Sequence, residues 1–243
     1  RYANNPNARA AGRALERSLT ESAASPMRPF LQAMDFSAAD GTEVSRVLNL
    51  VSPQGYSAGL AASLLRERDV MENALRGFGE GLRNAEGSDW QGFAVLFGSD
   101  GRQNNRGSML GYDATTYGLV IGGGRKLAAN PDFAVGVHLD IADQRLTLAS
   151  PQWGKGESTA VGVGAQLQYQ PDAMAGAYAH AGLRIGIERG SMDRHVAVHN
   201  YYAAHAADWT GHSASAQAGA GYLFPLSPAV SAGPIASLNY SRV

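Results

Sequence analysis

The stretches DFAVGVHLDIA, from Asp132 to Ala142, and AVGVGAQLQYQ, from Ala160 to Gln170, alternate residue by residue. In the first, Phe133, Val135, Val137, Leu139 and Ile141 project to one side, and Ala134, Gly136, His138, Asp140 and Ala142 to the other. In the second, Val161, Val163, Ala165, Leu167 and Tyr169 share a face opposite Ala160, Gly162, Gly164, Gln166, Gln168 and Gln170. Successive side chains of a strand point to opposite faces, so each run is a strand with one apolar side. The other side is not that of a strand facing water, which would carry Lys, Glu, Thr and Arg. Gly, Ala, Gln and isolated charges suit the inside of a barrel, where wide side chains collide and a plug or water must fit. The apolar face is therefore read as turned to lipid.

Composition permits this. The 243 residues carry a net charge of -1, which offers no general electrostatic attraction to nucleic acid. Thirty glycines and only 17% charged residues are unusual for a soluble enzyme of this length. The mean hydropathy of -0.21 does not argue against a membrane, because alternating faces cancel in any hydropathy window. No run approaches the ~20 apolar residues of a membrane helix. Cysteine is absent, which removes disulfides, zinc thiolates and thiol nucleophiles together. The chain opens at Arg1 without a charged and then apolar leader, and reads as a piece of a longer precursor.

Residues 1–86 differ in character from the rest of the chain. Asn7 to Glu21, rich in Ala, Arg, Leu and Glu, predicts a helix that stops near Ser25, Pro26 and Pro29. Thr42 to Leu50 predicts a short second helix. From Ser52 and Pro53 to Asn84 runs the longest helical pattern, with Leu60, Leu64, Met71, Leu75, Phe78 and Leu82 at helical spacing. Gly77, Gly79 and Gly81 weaken its end. Beyond Gly87 seven strands are expected, at Trp90–Gly98, Thr115–Gly124, 132–142, 160–170, Ala177–Glu188, His212–Phe224 and Val230–Arg242.

The connections between these strands alternate long and short. Ser99–Gly111 and Arg189–Trp209 read as long loops and Leu146–Glu157 as a long loop or a strand extension, while Asn130–Pro131, Pro171–Asp172 and Pro225–Pro228 read as tight turns. Short periplasmic turns and long extracellular loops are the asymmetry of an outer-membrane barrel, and each apolar run has about the 9–11 residues a tilted strand needs. The expected fold is all-β, a transmembrane antiparallel β-barrel with an N-terminal α-helical segment, residues 1–86 preceding a barrel of residues 87–243. His138, Asp140, Gln166, Gln168, His180, Arg184 and Glu188 fall on its inner face.

Three pieces, in this order, resemble one family. They are SRVLNLVSPQGY (Ser45 to Tyr56) with the helix after it, GYDATTYGLVIG (Gly111 to Gly122), and GPIASLNYSR (Gly233 to Arg242). From about Ser45 to Val243 the chain resembles the β-domain, or translocator, of autotransporters, the type V secretion proteins of Gram-negative bacteria. The resemblance implies a twelve-stranded outer-membrane barrel with a helix through it, joined to an upstream passenger delivered to the cell surface. It places the helix between Ser52 and Asn84 in the pore, where Arg66, Arg68, Arg76 and Arg83 would meet Asp140, Glu188 and the glutamines. The implied partners are outer-membrane lipid, the barrel-assembly machinery and an N-terminal passenger in cis, with the barrel a monomer. Only seven strands are expected here and the chain ends in Val243 rather than an aromatic residue, so it reads as lacking its C-terminal strands.

No Gly-x-Ser-x-Gly elbow, P-loop or His-Glu-x-x-His motif is present, and no catalytic residue or cofactor is assigned. His195, His199 and His205 lie near Asp193 and Asp208, but spacing within a loop does not build a ligand set, and no metal site is assigned. No local motif selects Asn73 or Asn84 for the linker self-cleavage that some autotransporters perform. The alternative to a translocator is a surface-exposed binding or adhesin barrel that acts through its extracellular loops.

Overall fold

The structure, a computed structural model, describes residues 5–21, 28–35, 42–83, 89–106, 110–149, 153–172, 175–227 and 230–243. Ser25, Pro26, Asn84, Gly87 and Gly107 lie outside them.

Four helices come first: α1 (Pro6–Glu21), α2 (Arg28–Asp35), α3 (Thr42–Leu50) and α4 (Gln54–Arg83). Asn5 caps α1, its side-chain oxygen accepting from the Ala8 N–H at 2.8 Å. The sequence reading missed α2, taking Pro29 only as a stop; proline is tolerated in a first turn, where its missing N–H has no intrahelical partner anyway. The 30 residues of α4 span about 45 Å at 1.5 Å per residue, more than a hydrocarbon layer of about 30 Å. It runs unbroken through Gly77, Gly79 and Gly81. At Gly77 the glycine serves packing, because a Cβ there would lie 2.5 Å from a Val95 methyl and 2.7 Å from the Phe93 ring.

The strands β1 (Gln91–Gln103), β2 (Tyr112–Leu127), β3 (Asn130–Leu148), β4 (Trp153–Tyr169), β5 (Gly176–Val198), β6 (Tyr201–Ser227), β7 (Val230–Ala232) and β8 (Ile235–Arg242) form one antiparallel meander. The expected seventh strand is present but broken. Both β7 and β8 pair with β6, on either side of Gly233 and Pro234. Pro234 has no N–H for the ladder, and its carbonyl instead accepts from the Tyr222 N–H at 3.2 Å. Gly233 is required beside it, since a Cβ there would sit 1.6 Å from the Tyr222 carbonyl oxygen. Among the described residues the sheet curves around α4 without closing, β1 and β8 remaining at its edges.

Burial follows the expected alternation in the band. Along β3, Val137, Leu139 and Ile141 are exposed while Ala134, His138, Asp140 and Ala142 are buried. Val161, Val163 and Leu167 on β4 and Leu183, Ile185 and Ile187 on β5 continue the outward apolar band. Aromatic side chains mark its lower edge: Phe133 packs on Tyr169 at 4.9 Å, Tyr222 on Phe224 at 4.8 Å, and Arg125 lies over the Trp90 ring at 5.9 Å.

Above the band the faces exchange character. The outward row Asp143, Thr159, Arg189 and Thr210 is aligned by strand register, and beyond it the outward positions of β3, such as Arg145 and Thr147, and Asp193 and His195 on β5 are polar. The inward ones become apolar, with Leu146, Leu148, Met192, Val196 and Val198 buried. This corrects the loop expected at Arg189–Trp209, and at Leu146–Glu157 it agrees with the strand extension that is the other reading of that segment, β3 running to Leu148 and β4 starting at Trp153. The Arg189–Trp209 segment is a hairpin whose strands meet at His199 and Asn200, with His199 in the left-handed region at φ 49°. Val196 and Val198 pack with Phe30, Val47 and Leu48, so helices α2 and α3 sit against this hairpin, with α1 packed on α3. Arg194 donates to the Leu50 and Ser52 carbonyls and covers the Tyr56 ring, fastening the entry to α4.

The band's orientation yields a first test. Leu139 is 66% exposed at mid-band, so Leu139→Arg is expected to cost about 2–4 kcal/mol of stability in vesicles. Thr147→Arg, outward but above the polar row, is expected to cost under about 1 kcal/mol. Equal losses in urea titrations of the two variants would contradict the placement of the band.

Candidate functional site

The inner face of the sheet and α4 meet through small residues and one buried chain of charges. Ala58, Ala62, Ala74 and Gly77 let the helix approach, and Val70, Met71 and Phe78 fill the remaining space. Phe78 lies on a seat made by two glycines, because a Cβ at Gly124 or Gly136 would come within 2.2 or 2.5 Å of its ring. Gln144 donates to the Ala62 backbone carbonyl at 2.9 Å and to the Thr116 hydroxyl at 3.0 Å.

Arg66 and Glu67, adjacent on α4, are fully buried. Arg66 donates to Glu188 at 2.7 Å and to the Ser158 hydroxyl at 2.8 Å. Glu188 also accepts from Ser63 at 2.9 Å and from the Trp209 indole at 3.2 Å. Glu67 accepts from Arg184, and from the Ser215 hydroxyl at 3.2 Å. Arg184 forks onto Asp140, with Nε to Oδ2 at 2.9 Å and Nη2 to Oδ1 at 2.6 Å, and reaches the Ser213 hydroxyl at 3.0 Å. Arg66 and Glu67 themselves stand 3.5 Å apart. The order Glu188, Arg66, Glu67, Arg184, Asp140 alternates in sign, so no buried charge adjoins only its own kind. Charges taken out of water persist only when paired and hydrogen-bonded in this way. His138 adjoins the chain at 3.6 Å from Asp140, and its Nδ1 is 2.9 Å from the Gln166 amide.

A second group gathers lower on the helix. Arg76, Arg83, Gln168 and His180, with Leu75 and Tyr178, line a cavity of about 250 Å³ between helix and wall. Arg76 donates to Asn73 at 2.8 Å and Gln168 to Gln170 at 2.6 Å. Arg68 belongs to neither group; it is 57% exposed and pairs with Glu72 one turn along. Among the described residues Arg66 alone of the four α4 arginines meets an inner-face carboxylate, and Asp140 is held by Arg184 of the wall instead. Glu67 was missed from the sequence. Its signal was position, since Ser63, Glu67, Val70, Met71 and Ala74 share one helical face and a carboxylate on a small, apolar stripe needs a partner.

The histidines considered as metal ligands are spread along the hairpin. His195 contacts the Tyr202 hydroxyl at 2.7 Å and stacks on its ring, His199 lies in the turn, and His205 pairs in register with Arg194. Among the described residues no three His, Asp or Glu side chains converge.

No curated protein sequence matches the chain. A family model, the autotransporter β-domain, matches residues 92–243, more than half of the chain and every strand from β1 onward except its first residue. With an apolar band facing out, a charged and glycine-rich face turned in, and a match of that extent, the chain belongs to the autotransporter β-domain family of outer-membrane translocators.

Proposed function

We propose that residues 1–86 are the linker and pre-barrel segment, and that α4 rests within the barrel as a plug after an N-terminal passenger in cis has been delivered to the cell surface. The observation that carries this reading is the buried chain of five charges from Glu188 to Asp140, two of which, Arg66 and Glu67, come from the helix. A helix that merely passed the wall would have no need of charges matched to it, and an unpaired pair of that kind would cost several kcal/mol. The work is done by geometry rather than by bond chemistry: the wall holds back lipid, the glycines make room, and the charges fix the helix in register. His138, Asp140, Gln166, Gln168, His180, Arg184 and Glu188 line the pore, the protein acts as a monomer, and the barrel-assembly machinery inserts it. The binding-barrel alternative rested on long free loops, and the longest of them is a hairpin covered on its inner side by α2 and α3.

The test is a reporter placed upstream of Arg1 in cells that make the full-length protein. Protease added to intact cells is expected to remove the reporter from the native protein, and to leave it untouched when residues 54–83 are deleted. Equal surface exposure of the reporter in both, with both barrels inserted, would refute a role for α4 in delivery.

A further inference from the structure

The cavity of about 250 Å³ low on α4 takes charged groups from the helix and neutral polar groups from the wall. Arg76, Glu80 and Arg83 come from α4, Gln168 from β4 and His180 from β5. Arg76 and Arg83 are two helical turns apart, about 10 Å along the axis, and project from the same side of α4. Gly79, between them, leaves the opening clear, since a Cβ there would lie 3.5 Å from the Gln168 Oε1. Among the described residues Arg76 meets only the neutral Asn73 side chain, and Arg83 and Glu80 form no hydrogen bond or ion pair. The His180 ring lies over Gly219, and its buried Nε2 has no hydrogen-bond partner among the described residues. Gln170 and Tyr178 also line the cavity, which sets it where β4 ends and β5 begins, at the end of the barrel that carries the tight turns. Strands β4–β6 stand between it and lipid, so a ligand reaches it through water rather than through the bilayer.

Two guanidinium groups against one carboxylate give the lining a net positive charge, and no wall carboxylate lies in the lining to answer it. The upper half of α4 differs, because Arg66 and Glu67 find their counter-charges on the wall. Guanidinium forks match the oxygens of a tetrahedral oxyanion and bind them through charge-assisted hydrogen bonds, a grip that a spherical halide cannot offer. At about 30 Å³ per water, the volume holds a phosphate-sized ion together with several waters. We infer that this cavity binds a small, water-borne oxyanion of the phosphate type, held between Arg76 and Arg83, with the second N–H of the Gln168 amide reaching it from the wall and Glu80 opposing it. The ion would supply the lower half of α4 with the counter-charge that the wall gives to the upper half. The site exists only if α4 lies inside the barrel, as proposed above, and does not depend on passenger delivery.

Phosphorus NMR of inorganic phosphate, titrated with the full-length protein in an uncharged detergent at constant ionic strength, tests it. One phosphate per protein is expected, with a Kd of about 1 mM, displaced by sulfate but not by an equal concentration of chloride. Arg76→Gln combined with Arg83→Gln should weaken binding about tenfold or more, and Glu80→Gln should tighten it. Arg145→Gln, on the outward surface, should leave binding as it is. None of these changes removes a wall partner of the helix, and retained heat-modifiable gel mobility shows that each variant folds. Phosphate held equally by the double variant, chloride competing as well as sulfate, or weaker binding by Glu80→Gln would each overturn the assignment. Planar-bilayer conductance of the same sample separates the two readings: low conductance without phosphate binding refutes the anion site alone, whereas high conductance refutes the placement of α4 and the site with it.

Discussion

Arg184→Met is expected to destabilise the protein by about 3–5 kcal/mol, the largest effect of any single polar substitution in the wall. Arg184 is the shared partner of Asp140 and Glu67, so its loss takes the guanidinium from two buried carboxylates, leaving Glu67 with Arg66 at 3.5 Å and Asp140 with His138 at 3.6 Å. Methionine fills a similar volume, which makes charge rather than cavity the source of the loss. The complementary variant, in which Arg184→Met is combined with Asp140→Asn and Glu67→Gln, should recover most of the stability because no buried charge is then unpaired. Arg68→Ala serves as the contrast. Its pair with Glu72 is about half exposed, and its removal should cost about 0.5 kcal/mol or less. Urea titrations of the refolded protein in vesicles measure all three, and a loss below about 1 kcal/mol for Arg184→Met would show that the chain of charges does not hold the helix.

Phe78→Ala should cost about 3–5 kcal/mol, by emptying the seat over Gly124 and Gly136. The same seat can be disturbed from the wall. Gly136→Ala places a Cβ 2.5 Å from the Phe78 ring, with the nearest backbone atom at 3.1 Å, so the ring must shift. Overpacking of this kind costs about 1–3 kcal/mol. In the Phe78→Ala background the clash with the ring is gone and only the 3.1 Å approach to the Gly123 carbonyl oxygen remains, so Gly136→Ala should cost less there than in the native protein. A double-mutant cycle reads the difference as a coupling of about 1–3 kcal/mol. Additive losses would mean that Phe78 does not rest on this part of the wall.

The band and the helix were legible in the sequence because each carries one uninterrupted period. Phe133 to Ile141 alternates without exception, and a solvent that is lipid outside and protein inside gives every position a sign. The hairpin above it was misread for the same reason. Beyond Arg189 the outside is water, so Met192, Val196 and Val198 turn inward while Asp193 and His195 turn outward, and the alternation changes phase with no turn to announce it. A segment with three His and two Asp then looks like a loop although its period of two is intact. The break at Gly233 and Pro234 could have been anticipated from proline's missing donor. The partners of the buried charges could not. Arg66 and Arg68 are alike in sequence, and only the rotation of α4 against β4 and β5 puts one on Glu188 and leaves the other on the face turned from the sheet. Glu67 was hidden by the same ambiguity, lying between two arginines in a run that reads equally well as a solvated face.

The central claim, that α4 occupies and closes the barrel, is tested most directly by planar-bilayer conductance of the full-length protein with and without residues 54–83. Low conductance that rises sharply on deletion of the helix is the predicted result. Conductance that is already high with the helix present, and unchanged without it, would contradict the plug.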